Sequence, residues 1–168
     1  MPAMPNHWKP NVTVAAIVER AGHFLLVEEH TRDGLKLNNP AGHLDPGESP
    51  QAACVREVLE ETAHDFTPTA LVGVYLNRFT KTGTHDDLTY LRFAFTGDVG
   101  AHYAERALDT GIVRAVWLTA DELRACPERH RSPLLLRSLE DYLSGQRFAL
   151  ELVHTDLSVQ RQIKNDSC

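Results

Sequence analysis

No stretch of this chain approaches the roughly eighteen consecutive apolar residues of a membrane-spanning helix, although 42% of its 168 residues are hydrophobic. A membrane partner is therefore not expected. Cationic excess is also missing, since 17 Lys and Arg face 23 Asp and Glu for a formal charge of −6. Long nucleic acid is held mainly through positive charge, so it too falls outside the expected partners. Cysteine is scarce. Cys54, Cys126 and Cys168 are odd in number and far apart, which reads as free thiols in a reducing cytosol and not as a zinc site or disulfide frame. The opening MPAMPNHWKP lacks a basic flank followed by an apolar core, so no secretory leader is expected and the location implied is cytoplasmic. There are no internal repeats, and nothing marks a second globular unit.

What is present is one domain's length of alternating element signals. Residues 1–10 read as a lead-in broken by Pro2, Pro5 and Pro10, with Trp8 as a packing residue. Val12 to Val18 is a β-branched run suited to a buried strand, Ala21-Gly22 a turn, and Phe24 to Glu28 a second strand. Asp33-Gly34 signals a hairpin before Leu35 to Asn39. Further on, Thr69 to Phe79 and Leu88 to Thr96 read as strands around a polar loop at 80–87. In the second of these, Thr89, Leu91, Phe93 and Phe95 share one side, apolar apart from Thr89, and Leu88, Tyr90 and Arg92 the other. Gly97 to Gly111 reads as irregular and Ile112 to Leu118 as a strand. Thr119 and Glu122 then form a capping box. A last helix starts near Ser132-Pro133, with Leu135, Leu139, Tyr142 and Leu143 on one face. Beyond Gln146, FALELV suits a strand or a partner contact, and the final residues read as disordered. This order gives an α/β layered domain over 11–145 with a mixed sheet, and a C-terminal extension over 146–168.

The chemistry concentrates in GHLDPGESPQAACVREVLEETAH, Gly42 to His64. Glycines and Pro46 open it as a loop; Ser49 can cap a helix whose first position suits Pro50. Ala52, Val55, Leu59 and Thr62, with Val58 at the edge, recur at helical spacing and are expected to pack inward. Glu57, Glu60 and Glu61 then share the other side. Like charges so spaced cost a helix about 0.2–0.5 kcal/mol per pair. A solvated acidic face is one explanation. Glu48 in the preceding loop and Arg56 four residues before Glu60 favour another: a seat for a hard divalent cation, with an arginine fork orienting a glutamate.

These residues resemble the Nudix hydrolase box: glycine, five residues, glutamate, seven residues, then Arg-Glu-apolar-any-Glu-Glu-any-Gly-apolar. Gly42, Glu48, Arg56-Glu57-Val58 and Glu60-Glu61 stand in register, while Ala63-His64 replaces the closing Gly-apolar pair at the helix exit. The resemblance implies a Nudix α/β/α sandwich with a mixed β-sheet, and Mg²⁺- or Mn²⁺-dependent hydrolysis of small pyrophosphates. By position it implies Glu57, Glu60, Glu61 and Glu48 as metal ligands with the Gly42 carbonyl as a further one. Arg56 would hold Glu57, itself a candidate base. Glu105, Asp109 and Glu122 are the downstream carboxylates, each otherwise ordinary surface charge.

Segments Asn11–Glu19, Leu25–Glu29, Leu37–Asp45 and Arg131–Leu143 resemble, more narrowly, a bacterial branch of that family. Its members act on hydroxymethylpyrimidine pyrophosphate and on nucleoside tri- and diphosphates, releasing orthophosphate. The competing readings are a pyrophosphate-releasing Nudix enzyme and a non-catalytic nucleotide-binding domain. Asn38, Asn39 and His43 flank the box glycine, either as substrate contacts at a pocket mouth or as a simple turn and a surface histidine. Arg32, Lys36, Arg78 and Lys81 read as surface charge near the phosphates' approach. Arg131 and Ser132 head a helix whose N-terminus can attract an anion, though capping alone accounts for them.

Overall fold

The computed structural model describes residues 7–80 and 87–160. Residues 81–86 of the polar loop (with Lys81), and the C-terminal residues 161–168 (with Cys168), lie outside the described residues. In chain order the elements are β1 Asn11–Ile17, β2 Glu19–Arg20, β3 His23–Thr31, β4 Gly34–Asn38, β5 Ala41–His43, α1 Pro50–Thr62, β6 His64–Thr80, β7 Asp87–His102, β8 Ile112–Thr119, α2 Ala120–Arg124 and α3 Pro133–Leu143. They form two four-stranded sheets. The first has the order β5-β1-β7-β6; in the second, β3 pairs with β2, β4 and β8. The β1–β7 pairing is parallel and its neighbours are antiparallel, so the first sheet is mixed, as expected.

Two apolar clusters hold these layers. Ala53, Cys54 and Val58 of α1 pack on Val14, Ala16 and Phe95 of the first sheet. Ile17, Ala94 and Val72 meet Leu26 and Leu37 of the second sheet, with Leu135 and Leu139 of α3. Each fully buried side chain of this size contributes roughly 1.5–3 kcal/mol. Residues Ala94, Phe95 and Thr96 are all buried, because β7 is covered on both faces. Helices thus flank the sheets on two sides, giving the α/β/α sandwich.

Several boundaries and faces differ from the sequence reading. The buried side of α1 is Ala53, Cys54, Glu57, Val58 and Thr62, about one residue round from the expected face, and Ala52 is exposed. The apolar pattern of this helix is too weak to set its own rotation, so the sheet it meets decides. Residues 97–102 continue β7, because β6 runs on beside them and pairs His64 with His102. Leu143 and Trp8 are exposed, at 45% and 69%. FALELV makes only an isolated bridge, Leu71 to Phe148, before a 3₁₀ turn at Leu150–Leu152. Cys54 is a buried free thiol and Cys126 a half-buried one.

The helix exit shows how Ala63-His64 substitutes for glycine and an apolar residue. Ala63 takes the left-handed conformation at φ 54° and its N–H donates to Leu59 O at 3.0 Å. His64 is buried, stacked on His102 with centroids 4.4 Å apart.

Candidate active site

Ser49 Oγ accepts from Ala52 N at 3.1 Å and Pro50 occupies the first turn, so the loop enters α1 at a defined point. Arg56, one turn on, is the hub. Its Nε donates to Glu48 Oε2 at 3.1 Å and its Nη2 to Glu48 Oε1 at 2.7 Å. Nη1 donates to Glu57 Oε1 at 2.7 Å and to Glu60 Oε2 at 3.1 Å, while Nη2 also reaches the His43 carbonyl at 2.9 Å. One guanidinium therefore ties the loop, the strand β5 and three carboxylates of the box together. It holds the Glu48 carboxyl below the usual carboxylate range, despite some burial.

Glu57 and Glu61 face inward toward β5. Glu57 is only 7% exposed; burial pushes its carboxyl upward, against the pull of Arg56. Glu61 Oε2 accepts from Ala41 N at 2.9 Å. Burial, reinforced by the charges of Glu57, Glu29 and Asp109, pushes it up to about 8. Gly42 is required here: a Cβ on it would occupy the space of the Glu57 carboxylate.

The donor set fits a hard cation in chemistry. Two carboxylates lie close enough for the charge of Glu57 to act on Glu61, and among the described residues Arg56 alone pairs with Glu57. Glu57 Oε2 and Glu61 Oε1 make no hydrogen bond among the described residues. As placed, however, no three His, Cys, Asp or Glu side chains among the described residues converge closely enough to hold a metal ion. Glu48 and Glu60 are turned to Arg56, so either would reach an ion only by giving up that bond.

Beside this edge opens a cleft of about 1030 Å³. Gly42, His43, Asn38, Arg32, Arg131 and Ser132 line it, all named from the sequence. Asn39 is buried but outside it. Arg131 Nε lies 3.6 Å from Glu29 Oε1, and Ser132 caps α3 by accepting from Leu134 N at 3.3 Å. Lys36 instead donates to Glu128 O at 2.7 Å. Of the downstream carboxylates, Glu122 is consumed by its capping box with Thr119, and Glu105 is exposed. Asp109 belongs to the site's surroundings: its charge acts on Glu57 and Glu61, and its N–H donates to Glu60 O at 3.0 Å.

Sequence reasoning missed the cleft floor, which is Thr13, Asn77, Tyr90 and Arg92 from three strands. One signal was available. Tyr90 and Arg92 alternate with the apolar side of β7, and an arginine midway along a half-covered strand calls for a destination.

A family model for the Nudix domain matches residues 8–138. The chain is 34% identical over 146 residues to the phosphatase NudJ of Escherichia coli strain K12, covering 87% of this chain and 92% of that one. Phosphatase NudJ of Shigella flexneri matches to the same extent. Among solved structures, a Nudix hydrolase from Nitrosomonas europaea is 50% identical with a TM-score of 0.81, over 88% of this chain and 98% of that one. The MutT Nudix hydrolase of Burkholderia pseudomallei, 18% identical with a TM-score of 0.63 over 80% and 98%, shares the fold. Fold and likeness together define an enzyme that hydrolyses pyrophosphate bonds. The chain belongs to the Nudix family. No helix among the described residues is long and apolar enough to cross a membrane.

Proposed function

We propose that this enzyme hydrolyses small pyrophosphates, namely nucleoside tri- and diphosphates and hydroxymethylpyrimidine pyrophosphate, releasing orthophosphate with the help of Mg²⁺ or Mn²⁺. The observation that carries this reading is the pair of carboxylates on the β5 edge where the cleft begins, Glu57 buried against Gly42 and Glu61 half-buried on Ala41 N. The likeness to phosphatase NudJ supports the orthophosphate-releasing branch.

In this reading Glu57 and Glu61 hold the metal, with Glu48, Glu60 and the Gly42 carbonyl completing its shell. A divalent ion bound there supplies neutralisation of phosphate charge and a more acidic water. Arg56 positions Glu57 through the 2.7 Å bond to Oε1, leaving Oε2 to accept the proton of the attacking water. Asn38 and His43 border the substrate, while Asn39, buried outside the cleft, does not. Asn38 Oδ1 is enclosed without a hydrogen-bond partner, as a group awaiting a ligand would be. The working unit is 11–145, and 146–168 is an extension whose described part leans on the first sheet through Phe148.

A product-resolved assay tests it. With a nucleoside triphosphate and Mg²⁺ the inorganic product should be orthophosphate, and chelation should stop its release. Pyrophosphate as the sole inorganic product would overturn the branch assignment and leave a pyrophosphohydrolase.

A further inference from the structure

Arg92 sits midway along β7, on the opposite side of the sheet from Phe93 and Phe95, in register with Thr13 of β1 and Tyr75 of β6. Its Nε and Nη1 are shielded from solvent and meet no acceptor among the described residues. Thr13 Oγ1 and Asn77 Nδ2, also on the cleft floor, are enclosed and unpartnered in the same way. Glu29 and Glu61 are the carboxylates whose charge reaches Arg92, yet neither hydrogen-bonds to it. An enclosed guanidinium with idle N–H groups is costly, so a fold retains one where a ligand completes it.

The chemistry of the floor selects that ligand. Arg92 offers two donors, Asn77 a third, and the Thr13 hydroxyl can donate as well. A surface so rich in donors and carrying a full positive charge matches an oxyanion with several acceptors. A heteroaromatic edge, which mixes donors and acceptors, instead suits the rest of the cleft lining, where Glu29 Oε1 and Asn38 Oδ1 are enclosed acceptors without a hydrogen-bond partner among the described residues. Among the rings that line the cleft, Phe79 meets Tyr90 edge-on at 5.8 Å and His43 lies 6.1 Å from Tyr90.

We infer that Arg92, with Thr13 and Asn77, forms an anion seat on the cleft floor that holds the substrate's phosphoryl oxygens and positions the pyrophosphate against the Glu57–Glu61 edge. Arg92 is thereby a specificity-determining residue, and the inference rests on the proposed phosphohydrolase reading.

The test uses imidodiphosphate, a hydrolysis-resistant pyrophosphate analogue with no ring, titrated calorimetrically with Mg²⁺ present into the full chain and its Arg92→Gln and Arg92→Lys variants. Binding should weaken about 100-fold for glutamine and about tenfold for lysine, which keeps the charge and loses the planar fork. KM for a nucleoside triphosphate should rise by a similar factor with kcat less affected, and the melting temperature should stay close to that of the unaltered protein. Equal binding by Arg92→Gln overturns the inference and leaves the hydrolase reading standing. Loss of binding to an unphosphorylated nucleoside, with imidodiphosphate binding intact, overturns it in favour of ring recognition. Failure of the unaltered protein both to bind the analogue and to hydrolyse a triphosphate removes the reading beneath it. If the glutamine variant does not fold, the lysine variant decides on the same titration.

Discussion

Arg56 and Glu48 meet at two points, Nε on Oε2 and Nη2 on Oε1, so a loop residue and a helix residue are locked by a planar fork. The same guanidinium also reaches Glu57, Glu60 and the His43 carbonyl. Lysine keeps the charge but cannot span these partners from one nitrogen. Arg56→Lys should therefore lower kcat on the order of 100-fold by misplacing Glu57. The protein should still fold, with a melting point only a few degrees lower. Steady-state kinetics beside thermal melts check this; a kcat equal to the unaltered protein's would sink the positioning role.

Glu61 is half-buried on the β5 edge, not on an open face, and that changes what its neutral variant should do. Its carboxyl is pushed up to about 8 from an ordinary 4.5. The folded chain thus holds that proton more tightly than the unfolded chain, and between those pH values ionisation erodes stability as pH rises. In chelator, Glu61→Gln should lose less stability than the unaltered protein on going from pH 5 to pH 8, since its amide oxygen can still accept from Ala41 N. Turnover with Mg²⁺ should fall at least on the order of 100-fold. Denaturant melts at the two pH values, run beside the activity assay, measure both effects.

Ala63 carries a left-handed backbone at φ 54° that glycine adopts without strain. Because the native conformation is costly for alanine, Ala63→Gly should raise stability by about 0.5–1 kcal/mol even though glycine frees the unfolded chain. Urea midpoints at constant slope test it, and a lower midpoint would show that the Ala63 methyl contributes more than the strain costs.

Glu28 gives an acid-side signature away from the site. Its carboxylate, 6% exposed, accepts from Arg114 Nε at 2.6 Å and from Arg129 Nη2 at 2.5 Å. The Arg114 bond above all holds its carboxyl below the usual 4.5, against an opposing push from burial. A lowered folded-state value adds stability that is fully present above pH 4.5 and vanishes as pH falls below it. Glu28→Gln should cost about 1 kcal/mol at pH 7, modest because both arginines extend into solvent. It should also flatten the acid limb of the stability curve. An unchanged acid limb would assign that loss to other carboxylates.

The loop–helix unit was legible because its signals are short in range. Ser49 and Pro50 mark the helix start, and the Glu48–Arg56–Glu57–Glu60–Glu61 spacing marks the chemistry; the structure brings these residues together. The Thr119–Glu122 capping box and the α3 start at Ser132-Pro133 were legible for the same reason. The buried side of α1 was not, since Ala52 and Ala53 are equally apolar and only the sheet chooses between them. The second half of β7 was hidden as well: Gly97 and Gly100 read as breakers until β6 pairs alongside them.

From its residues alone, this chain determined a family, a capped acidic helix and a set of oxygen donors suited to a divalent ion. Those are properties of neighbours within a turn or two. Tertiary structure decided that Glu57 and Glu61 point inward while Glu48 and Glu60 turn to Arg56, and that Thr13, Asn77 and Arg92 share one floor. Strand pairing brings distant residues side by side, and whether a charge is hidden from water depends on everything packed around it, which no local pattern encodes.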